Sequence, residues 1–350
     1  MSRCLDEKFS ALKEYVPGEQ PRDKKYIKLN TNESPFPPSV SVLEAVNSEE
    51  VKNLRLYSDP SNKALKEKLA EIYKVGPDNI YVSNGSDDIL NFAFMAFGDR
   101  GAAFPDITYG FYKVFAKLYG IDSQIIPLEE DFAIDENKYF GLDKLIVIAN
   151  PNAPTGLSLS LDKIEKIVSS NKNSVVLIDE AYVDFGGESC YNLIDKYDNL
   201  LVVRTFSKSR SLAGARLGFA IASKEIIKDL EKLKFSTNPY DINRLTQAAG
   251  VAALNQDDYY TANCKKIIEN REFTANALKE IGFSVIDSDA NFLFVKSDKI
   301  SGLDFYLKLK EKGVLIRHFT DERICEYNRV TIGSREEMEI FLEKTAEILN

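Results

Sequence analysis

The sequence predicts an α/β fold, in which a mostly parallel sheet covered by helices is joined to a smaller α+β C-terminal domain. Between about residues 75 and 222, short apolar runs alternate with amphipathic segments, which is typical of βαβ units. From about residue 255, the pattern changes to long helical periodicities separated by short strands. The length of 350 residues is also typical of two domains, or of one large domain with a small second domain.

The strands of the large sheet are predicted from continuous apolar runs rich in β-branched residues, the composition of strands that are buried on both faces. Helices are predicted over residues 87–97 and 161–169, and a helix or an irregular crossover is expected between residues 178 and 200. Short runs near Ala102 and Gln124 are further candidate strands. The predicted strands are 79–83, 145–149, 174–178, 200–204 and 217–222.

The C-terminal part is predicted to contain helices over 257–281 and 302–312 and a last helix that begins near Arg335. Three short strands are predicted at 291–295, 314–316 and 329–332. The first 30 residues have few apolar runs and are expected to form an arm. The predicted division is therefore an N-terminal arm with part of the small domain (1–45), a large domain (46–245) and a small C-terminal domain (246–350).

The composition excludes several classes of function. With 45 basic and 54 acidic residues, the net charge is −9 and no long basic run occurs, so we expect no nucleic-acid partner. The single histidine, His318, cannot build a His-rich metal site, so we expect no metal and assign His318 no catalytic role. The four widely spaced cysteines indicate reduced thiols rather than a disulfide framework.

No targeting or membrane segment is predicted. Residues 1–8 are too polar for a signal peptide, which needs about 7–15 apolar residues. The longest apolar stretch, around residues 89–97, falls short of the roughly 20 residues that a membrane helix needs. We therefore expect a cytoplasmic protein without a membrane partner.

Charged residues that could take part in catalysis or ligand binding follow the predicted strands. Asp179 follows one strand and Lys208 follows the next, with Arg216 eight residues further on. The strand 145–149 leads into a turn rich in Pro and Gly at 150–156. Because the carboxyl ends of parallel strands meet at one edge of a sheet, where ligands bind, we expect these groups to converge there.

Lys208 has three plausible functions at such an edge: a point charge for a phosphate, a solvated surface residue, or an amine that forms a Schiff base. The last function needs a carbonyl partner such as pyridoxal 5′-phosphate (PLP), whose ring nitrogen requires a carboxylate, and Asp179 is suitably placed. The phosphate of PLP would need backbone N–H groups at a helix start and a cation. The groups available for it are Gly85, Ser86, Asp87, Ser207 and Arg216.

The order of these motifs resembles that of the fold type I PLP-dependent aminotransferases, and nearly the whole chain fits. The motifs that carry the resemblance are Asn-Pro-Asn-Ala-Pro-Thr-Gly at 150–156, Asp-Glu-Ala-Tyr at 179–182 and Thr-Phe-Ser-Lys at 205–208. Within that superfamily, the chain is most similar to the histidinol-phosphate aminotransferases. The segments that support this are 28–35, 56–60, 109–110, 316–319 and 329–333.

The resemblance implies a role for each motif residue. Lys208 would form the Schiff base with PLP and later move a proton between Cα of the substrate and C4′ of the cofactor. Asp179 would pair with the ring nitrogen, Tyr182 would hydrogen-bond O3′, and Tyr109 would stack on the ring. The phosphate would be held by Gly85, Ser86, Asp87, Ser207 and Arg216, joined by Tyr57 from the other subunit of a homodimer with shared active sites.

The turn after strand 145–149 departs from the family pattern. The family usually has Asn directly before Pro-Thr-Gly, where its amide bonds O3′, whereas this chain has Ala153 there and Asn152 one position earlier. Either Asn152 substitutes through a shifted turn, or Tyr182 holds O3′ alone. The sequence leaves both possibilities open.

In this family the substrates would be histidinol phosphate and 2-oxoglutarate, which give imidazole acetol phosphate and glutamate in histidine biosynthesis. Because both substrates are anionic, Arg317 and Arg329 are candidates to bind them, with Asn32 as a further substrate-binding candidate. Alternatives are an aminotransferase of aromatic or other amino acids, and a PLP-dependent decarboxylase of a phosphorylated amino acid. A non-catalytic ligand sensor is a further alternative, against which the presence of Lys208 argues.

Overall fold

The structure is a computed structural model that describes residue 9, residues 12–13 and residues 15–349, apart from the side chain of Ser48. The segment 1–8, from which the absence of a signal peptide is predicted, lies outside these residues. Within the described ranges, no helix is long and apolar enough to cross a membrane. The helices are α1 (Val40–Ala45), α2 (Ser48–Lys52), α3 (Lys63–Tyr73), α4 (Ser86–Phe97), α5 (Phe111–Tyr119), α6 (Leu161–Ser170), α7 (Lys224–Thr237), α8 (Arg244–Leu254), α9 (Asp257–Glu280), α10 (Gly302–Glu311) and α11 (Arg335–Leu349).

A seven-stranded sheet forms the centre of the large part of the chain, in the order β2-β8-β7-β6-β5-β3-β4. All its neighbouring strands pair in parallel except β8, which is antiparallel to both β2 and β7. The mostly parallel sheet predicted from the sequence is thus confirmed. Its strands are β2 (Ile80–Ser83), β3 (Ala102–Pro105), β4 (Ser123–Ile126), β5 (Leu145–Ala149), β6 (Val176–Asp179), β7 (Leu200–Thr205) and β8 (Gly218–Ala222).

The central strands β5, β6 and β7 are buried along their whole length, which explains their continuous runs of Leu, Ile and Val. Helices α4, α5 and α7 cover one face of the sheet, and α6 covers the other. The connection between β6 and β7 contains two short 3₁₀ turns, Val183–Phe185 and Tyr191–Asp195, so the irregular crossover is confirmed.

A third apolar cluster joins α1, α3 and α8 to strands β2 and β8. Helix α8 contains the predicted boundary between residues 245 and 246, and its residues Ala249 and Ala253 pack in this cluster beside the large sheet. The division of the chain into three segments stays a prediction.

The C-terminal part has an antiparallel sheet in the order β12-β13-β10-β9, together with α9, α10 and α11. The N-terminal segment contributes β1, which pairs in parallel with β11 and thereby brings residues 29–33 to the edge of the large sheet. The strands are β1 (Ile27–Lys28), β9 (Phe283–Ile286), β10 (Phe292–Ser297), β11 (Val314–Leu315), β12 (Arg317–His318) and β13 (Asn328–Thr331).

Candidate active site

A cavity of about 330 Å³ lies beyond the carboxyl ends of the large-sheet strands, as expected for an open α/β sheet. Strands β5, β6 and β7 each contribute their last residue or the loop that follows. The N-terminal segment closes another side through Thr31 and Glu33. Of the residues predicted for the site, the cavity brings together Ser86, Asp87, Tyr109, Asp179, Tyr182, Ser207, Lys208 and Arg216.

Lys208 lies in the turn after β7, and its side chain reaches the cavity from the sheet side. Its Nζ donates a hydrogen bond to the Thr31 carbonyl at 3.3 Å and lies 5.6 Å from the centre of the Tyr182 ring. The amine therefore contacts a neutral carbonyl and an aromatic ring. Nearby, Glu33 accepts hydrogen bonds from Lys28 and Thr31 at 2.6 and 2.8 Å, and it lines the same cavity.

Asp179, the last residue of β6, is 5% exposed. Its carboxylate accepts hydrogen bonds from the Tyr112 hydroxyl at 2.8 Å and from the backbone N–H of Ala181 at 3.2 Å. Burial raises its pKa to about 6, because the charged form is less well solvated inside the protein. A cationic ring nitrogen in the cavity would supply the positive charge that this carboxylate lacks.

Tyr112 is a site residue that sequence reasoning missed. It is completely buried on α5 and touches the carboxylate of a residue 67 positions away. It lies three positions after Tyr109, which precedes the helix, and the two rings contact each other edge to face with 5.7 Å between their centres. The short spacing from a predicted site residue is the signal that could have drawn attention to it.

The opposite end of the cavity has the features of an anion site. Helix α4 begins at Ser86, so its unpaired backbone N–H groups lie at this end. The preceding Gly85 has φ +89°, and a Cβ there would lie 2.7 Å from the Arg216 guanidinium. Gly218 has no room for a Cβ either, because the Ser86 nitrogen would be 2.4 Å away. These glycines let backbone and guanidinium approach closely.

Arg216 is held at this end by two polar groups. Its guanidinium donates to Asp87 at 3.0 Å and lies 3.5 Å from the Ser207 hydroxyl. Asp87 also accepts a hydrogen bond from the Tyr109 hydroxyl at 2.9 Å. Asp87 therefore connects the predicted phosphate-binding arginine to the aromatic residue predicted to stack on the ring.

Tyr182 and Asn32 form a pair at the boundary between the two parts of the chain. The Asn32 amide donates to the Tyr182 hydroxyl at 3.0 Å, and its oxygen accepts from Thr331 at 2.9 Å. Asn32 is buried in left-handed backbone, at φ 55°, and its carbonyl accepts from Asn291. Asn32 is thus firmly fixed beside the tyrosine.

Asn152 is not brought to the cavity. Its oxygen accepts a hydrogen bond from Thr108 at 2.8 Å, and its amide donates to the Ile107 carbonyl and to Thr155 at 3.0 and 3.1 Å. The side chain is therefore fully engaged in joining two loops. Ala153 lines the cavity instead, with no polar group to offer.

Arg329 lies on β13 and has no acidic partner within the described part of the chain. It donates to the Asn30 carbonyl at 3.1 Å and lies over the Phe292 ring, while its buried Nε has no hydrogen-bond partner in the residues that the structure describes. Among the described residues it forms no ion pair, and burial lowers its pKa. Such a guanidinium favours an added anion.

Arg317, on β12, is occupied differently. Its guanidinium donates to the backbone carbonyls of Val16 and Pro17, at 3.1 and 3.2 Å. The adjacent Tyr15 stacks on Phe111 at 4.2 Å between ring centres. The arm is thereby held beside the aromatic residues at the start of α5.

Tyr57 does not reach the cavity of its own chain. Its side chain is 79% exposed and stacks on Tyr240 at 4.5 Å between ring centres. His318 stacks on Tyr306 and is likewise absent from the cavity lining.

The residues fit PLP at both ends of the cavity. The glycine-lined helix start with Arg216 matches a phosphate, and the buried carboxylate of Asp179, which forms no ion pair among the described residues, matches a protonated ring nitrogen. Lys208 lines the same cavity. The cavity can therefore hold a cofactor that carries an anionic group at one end and a cationic ring atom at the other.

Asp179 is expected to make the cofactor-free protein less stable as the pH rises. The folded chain keeps a proton up to pH about 6 that the unfolded chain releases near pH 3.8. The free energy of unfolding should fall as the pH rises through this window, and above it stay lower by about 3 kcal/mol at most. Asp179→Asn should remove this dependence. Urea unfolding of both cofactor-free proteins at pH 4 and pH 7.5 tests this, and identical pH dependences would contradict it.

Comparison with known proteins agrees with this geometry. The sequence profile of the family Aminotransferase class I and II matches residues 24–344. A histidinol-phosphate aminotransferase of Brachyspira hyodysenteriae is 52% identical over 352 residues, which cover 100% of this chain and 99% of that protein. The crystal structure of the histidinol-phosphate aminotransferase from Clostridium acetobutylicum superposes with a TM-score of 0.86 at 25% identity, over 92% of this chain and 99% of that one.

A further solved structure shows the same fold. It is the histidinol-phosphate aminotransferase from Sinorhizobium meliloti in complex with pyridoxal 5′-phosphate, at 24% identity and a TM-score of 0.85, covering 93% of this chain and 91% of that one. Family profile, full-length similarity and fold lead to the same conclusion. The chain belongs to the class I and II aminotransferase family.

Proposed function

We propose that this chain is a PLP-dependent aminotransferase that transfers the amino group of histidinol phosphate to 2-oxoglutarate. The products are imidazole acetol phosphate and glutamate. The observation that carries the proposal is the single cavity in which Lys208, Asp179 and an anion cradle meet. Support for the substrate comes from a relative that is named histidinol-phosphate aminotransferase and is 52% identical over the whole chain.

The proposed chemistry assigns a task to each side chain. Bound PLP supplies an electron sink that stabilises negative charge at Cα of the substrate. Asp179 keeps the ring nitrogen protonated, and the hydrogen bond from Tyr112 holds the carboxylate in place. The Lys208 amine would hold the cofactor covalently until the substrate's amine takes its place, and the released amine would then move the proton at Cα. Tyr182, oriented by Asn32, donates to O3′ of the ring.

The cofactor phosphate is assigned to the start of α4. Ser86 and Asp87 offer backbone N–H groups there, and Ser207 and Arg216 add a hydroxyl and a positive charge. Gly85 contributes by letting the Arg216 guanidinium approach closely, because its own N–H donates to the Ser83 carbonyl at 2.8 Å. Of the two possibilities for O3′, we propose that Tyr182 binds it without Asn152, because the hydrogen bonds of the Asn152 side chain are made to Thr108, Ile107 and Thr155 in the loops.

Substrate binding is assigned to Arg329, because among the described residues its Nε has no hydrogen-bond partner and its guanidinium no carboxylate partner, which favours an anion. Both substrates are anionic, so one guanidinium serves both half-reactions. Arg317 joins it if the arm carbonyls of Val16 and Pro17 release their hydrogen bonds. Asn32 is the third proposed substrate-binding residue, and its amide donates a hydrogen bond to the Tyr182 hydroxyl.

A homodimer with shared active sites is part of the proposal. Between residues 40 and 57, the chain exposes seven large apolar residues, each at least 37% accessible, which we group as an apolar face; Tyr57 is the last of them. Covering this face with a second copy would bury apolar surface and bring Tyr57 to the partner's phosphate cradle. Sedimentation equilibrium should then give about twice the chain mass of 39.4 kDa, and a monomer would contradict the dimer. The face consists of Val40, Leu43, Val46, Val51, Leu54, Leu56 and Tyr57.

A cytoplasmic location is also proposed. It is supported by Cys190, Cys264 and Cys325, which are free thiols in the structure. Cys4 lies outside the described residues. Cell fractionation tests the location, and recovery of the protein in an extracytoplasmic fraction would contradict it.

The function is tested by product analysis with the purified holoenzyme. Histidinol phosphate and 2-oxoglutarate should give glutamate in equal amount to imidazole acetol phosphate, without release of carbon dioxide. Aromatic amino acids and phosphothreonine serve as competing amines. Carbon dioxide release would support the decarboxylase alternative, and turnover of aromatic amino acids without turnover of histidinol phosphate would support the other aminotransferase.

A further inference from the structure

Arg204 is a buried cation on the side of the sheet away from the cofactor cavity. It is the penultimate residue of β7, and its side chain is 8% exposed. It lines a second cavity, of about 540 Å³, whereas the next residue, Thr205, lines the first. Burial of a guanidinium is costly, and anionic partners offset part of that cost.

The two acidic partners of Arg204 belong to segments that carry the proposed site. Asp184 forms an ion pair with the guanidinium, and Glu180 lies 3.9 Å from it. Glu180 directly follows Asp179, and it is fixed by the backbone N–H of Cys190 at 2.7 Å. Arg204 thus joins the end of β6 to the end of β7.

Asp184 extends this connection to Ser209, the residue that directly follows Lys208. Its second oxygen accepts a hydrogen bond from the Ser209 hydroxyl at 2.5 Å, and Ser209 is 7% exposed. Although burial opposes it, the Arg204 guanidinium and the Ser209 hydroxyl keep the pKa of Asp184 below its ordinary value. The carboxylate is therefore charged, and charged hydrogen bonds of this kind are short and directional.

The turn is also anchored on its far side. Arg210 forms an ion pair with Asp257 of α9 at 2.5 Å and lies over the Tyr260 ring. Lys208 is followed by Ser209 and Arg210, and both of these residues line the second cavity rather than the cofactor cavity. The lysine's own Nζ has a single hydrogen bond among the described residues, at 3.3 Å to Thr31.

We propose that Arg204, Asp184 and Ser209 form a positioning network that fixes the backbone of Lys208 and so aims its amine into the cofactor cavity. The proposal rests on the assignment of Lys208 as the reacting amine. The network touches neither substrate nor cofactor, and it acts by restricting the turn that carries Lys208. A misplacement of about 1 Å in such a group is enough to lower the rate by roughly 100-fold.

Ser209→Ala and Ser209→Thr test the network in the holoenzyme. The alanine variant loses the hydroxyl, and its kcat should fall by roughly 10–100-fold while KM for histidinol phosphate changes less than about 3-fold. The threonine variant keeps a hydroxyl and should recover most of kcat. Asp184→Asn keeps the shape but removes the charge, and it should resemble Ser209→Ala.

A second readout needs no substrate. The pH titration of the cofactor's visible absorption band reports the environment of the lysine, and its midpoint should move in Ser209→Ala and return in Ser209→Thr. Glu231→Gln is the matched control, because it removes the carboxylate of a mostly buried ion pair with Lys66, remote from this turn. This control should leave kcat and the band titration unchanged.

The proposal is overturned if Ser209→Ala keeps both kcat and the band titration of the unsubstituted enzyme. It is also overturned if Ser209→Thr is as impaired as Ser209→Ala, or if Glu231→Gln shows the same losses. If the proposed function is wrong, the unsubstituted enzyme itself will not turn over histidinol phosphate. In that case, the titration of the absorption band still tests the network.

Discussion

Replacing Lys208 with alanine is expected to lower kcat for histidinol phosphate by about 10⁴-fold or more. The proposed role of this amine is proton transfer at Cα, and a positioned acid–base group contributes roughly 10²–10⁴-fold to a rate. The same amine also binds the cofactor, so its loss removes two contributions at once. Single-turnover absorbance changes on mixing with the amine substrate provide the measurement.

The control for this variant is Lys224→Ala. Lys224 lies at the start of α7 with its side chain 55% exposed, and its ion pair with Asp78 is at the surface. It should leave the rate unchanged. If Lys208→Ala retained more than about one-tenth of kcat, another residue would be moving the proton.

Arg329→Ala is expected to lower kcat/KM for histidinol phosphate and for 2-oxoglutarate together, by roughly 100-fold or more each. Truncating one partner of a buried, hydrogen-bonded charge pair typically costs about 2–5 kcal/mol, and every 1.4 kcal/mol is tenfold. Because Arg329 has no acidic partner in the described chain, its charge is free for an incoming anion. Steady-state kinetics with each substrate varied in turn measure both losses.

Two further variants sharpen this test. Arg329→Lys keeps the charge but loses the planar fork, and it should recover part of the affinity. Arg100→Ala is the control, because the ion pair of Arg100 with Asp143 is exposed. A loss confined to one substrate would show that the two anions bind at separate sites.

The sequence predicts the large sheet well because the signal there is local. Strand β5 is apolar at every position, β6 is apolar until its last residue and β7 until its last two, and burial on both faces favours that composition. The two-residue strand β1 carries no such signal, since two residues are too few for any periodicity, whereas β11 lies in the apolar run 314–316 that predicts a strand. Their pairing depends on residues that are nearly 290 positions apart, and no local pattern reveals it.

Within the site, the residues at strand ends are predictable and the contacts between them are not. Topology alone brings Asp179 and Lys208 to one edge, because β6 and β7 are parallel neighbours. The hydrogen bond from Tyr112 to Asp179 and the engagement of Asn152 by Thr108 depend on how α5 and the loops pack. In the sequence, nothing distinguishes Arg204 from its neighbours in the strand. Only the structure shows its acidic partners.

The most direct test of the account is to identify the residue that binds PLP covalently. Borohydride reduction of the holoenzyme, followed by proteolysis and mass spectrometry, should place the reduced cofactor on the peptide that contains Lys208, with Asp179→Asn retaining less cofactor before reduction. Modification of a different lysine, or an equal yield of labelled Lys208→Ala protein, would contradict the assignment of Lys208 and with it the proposed mechanism.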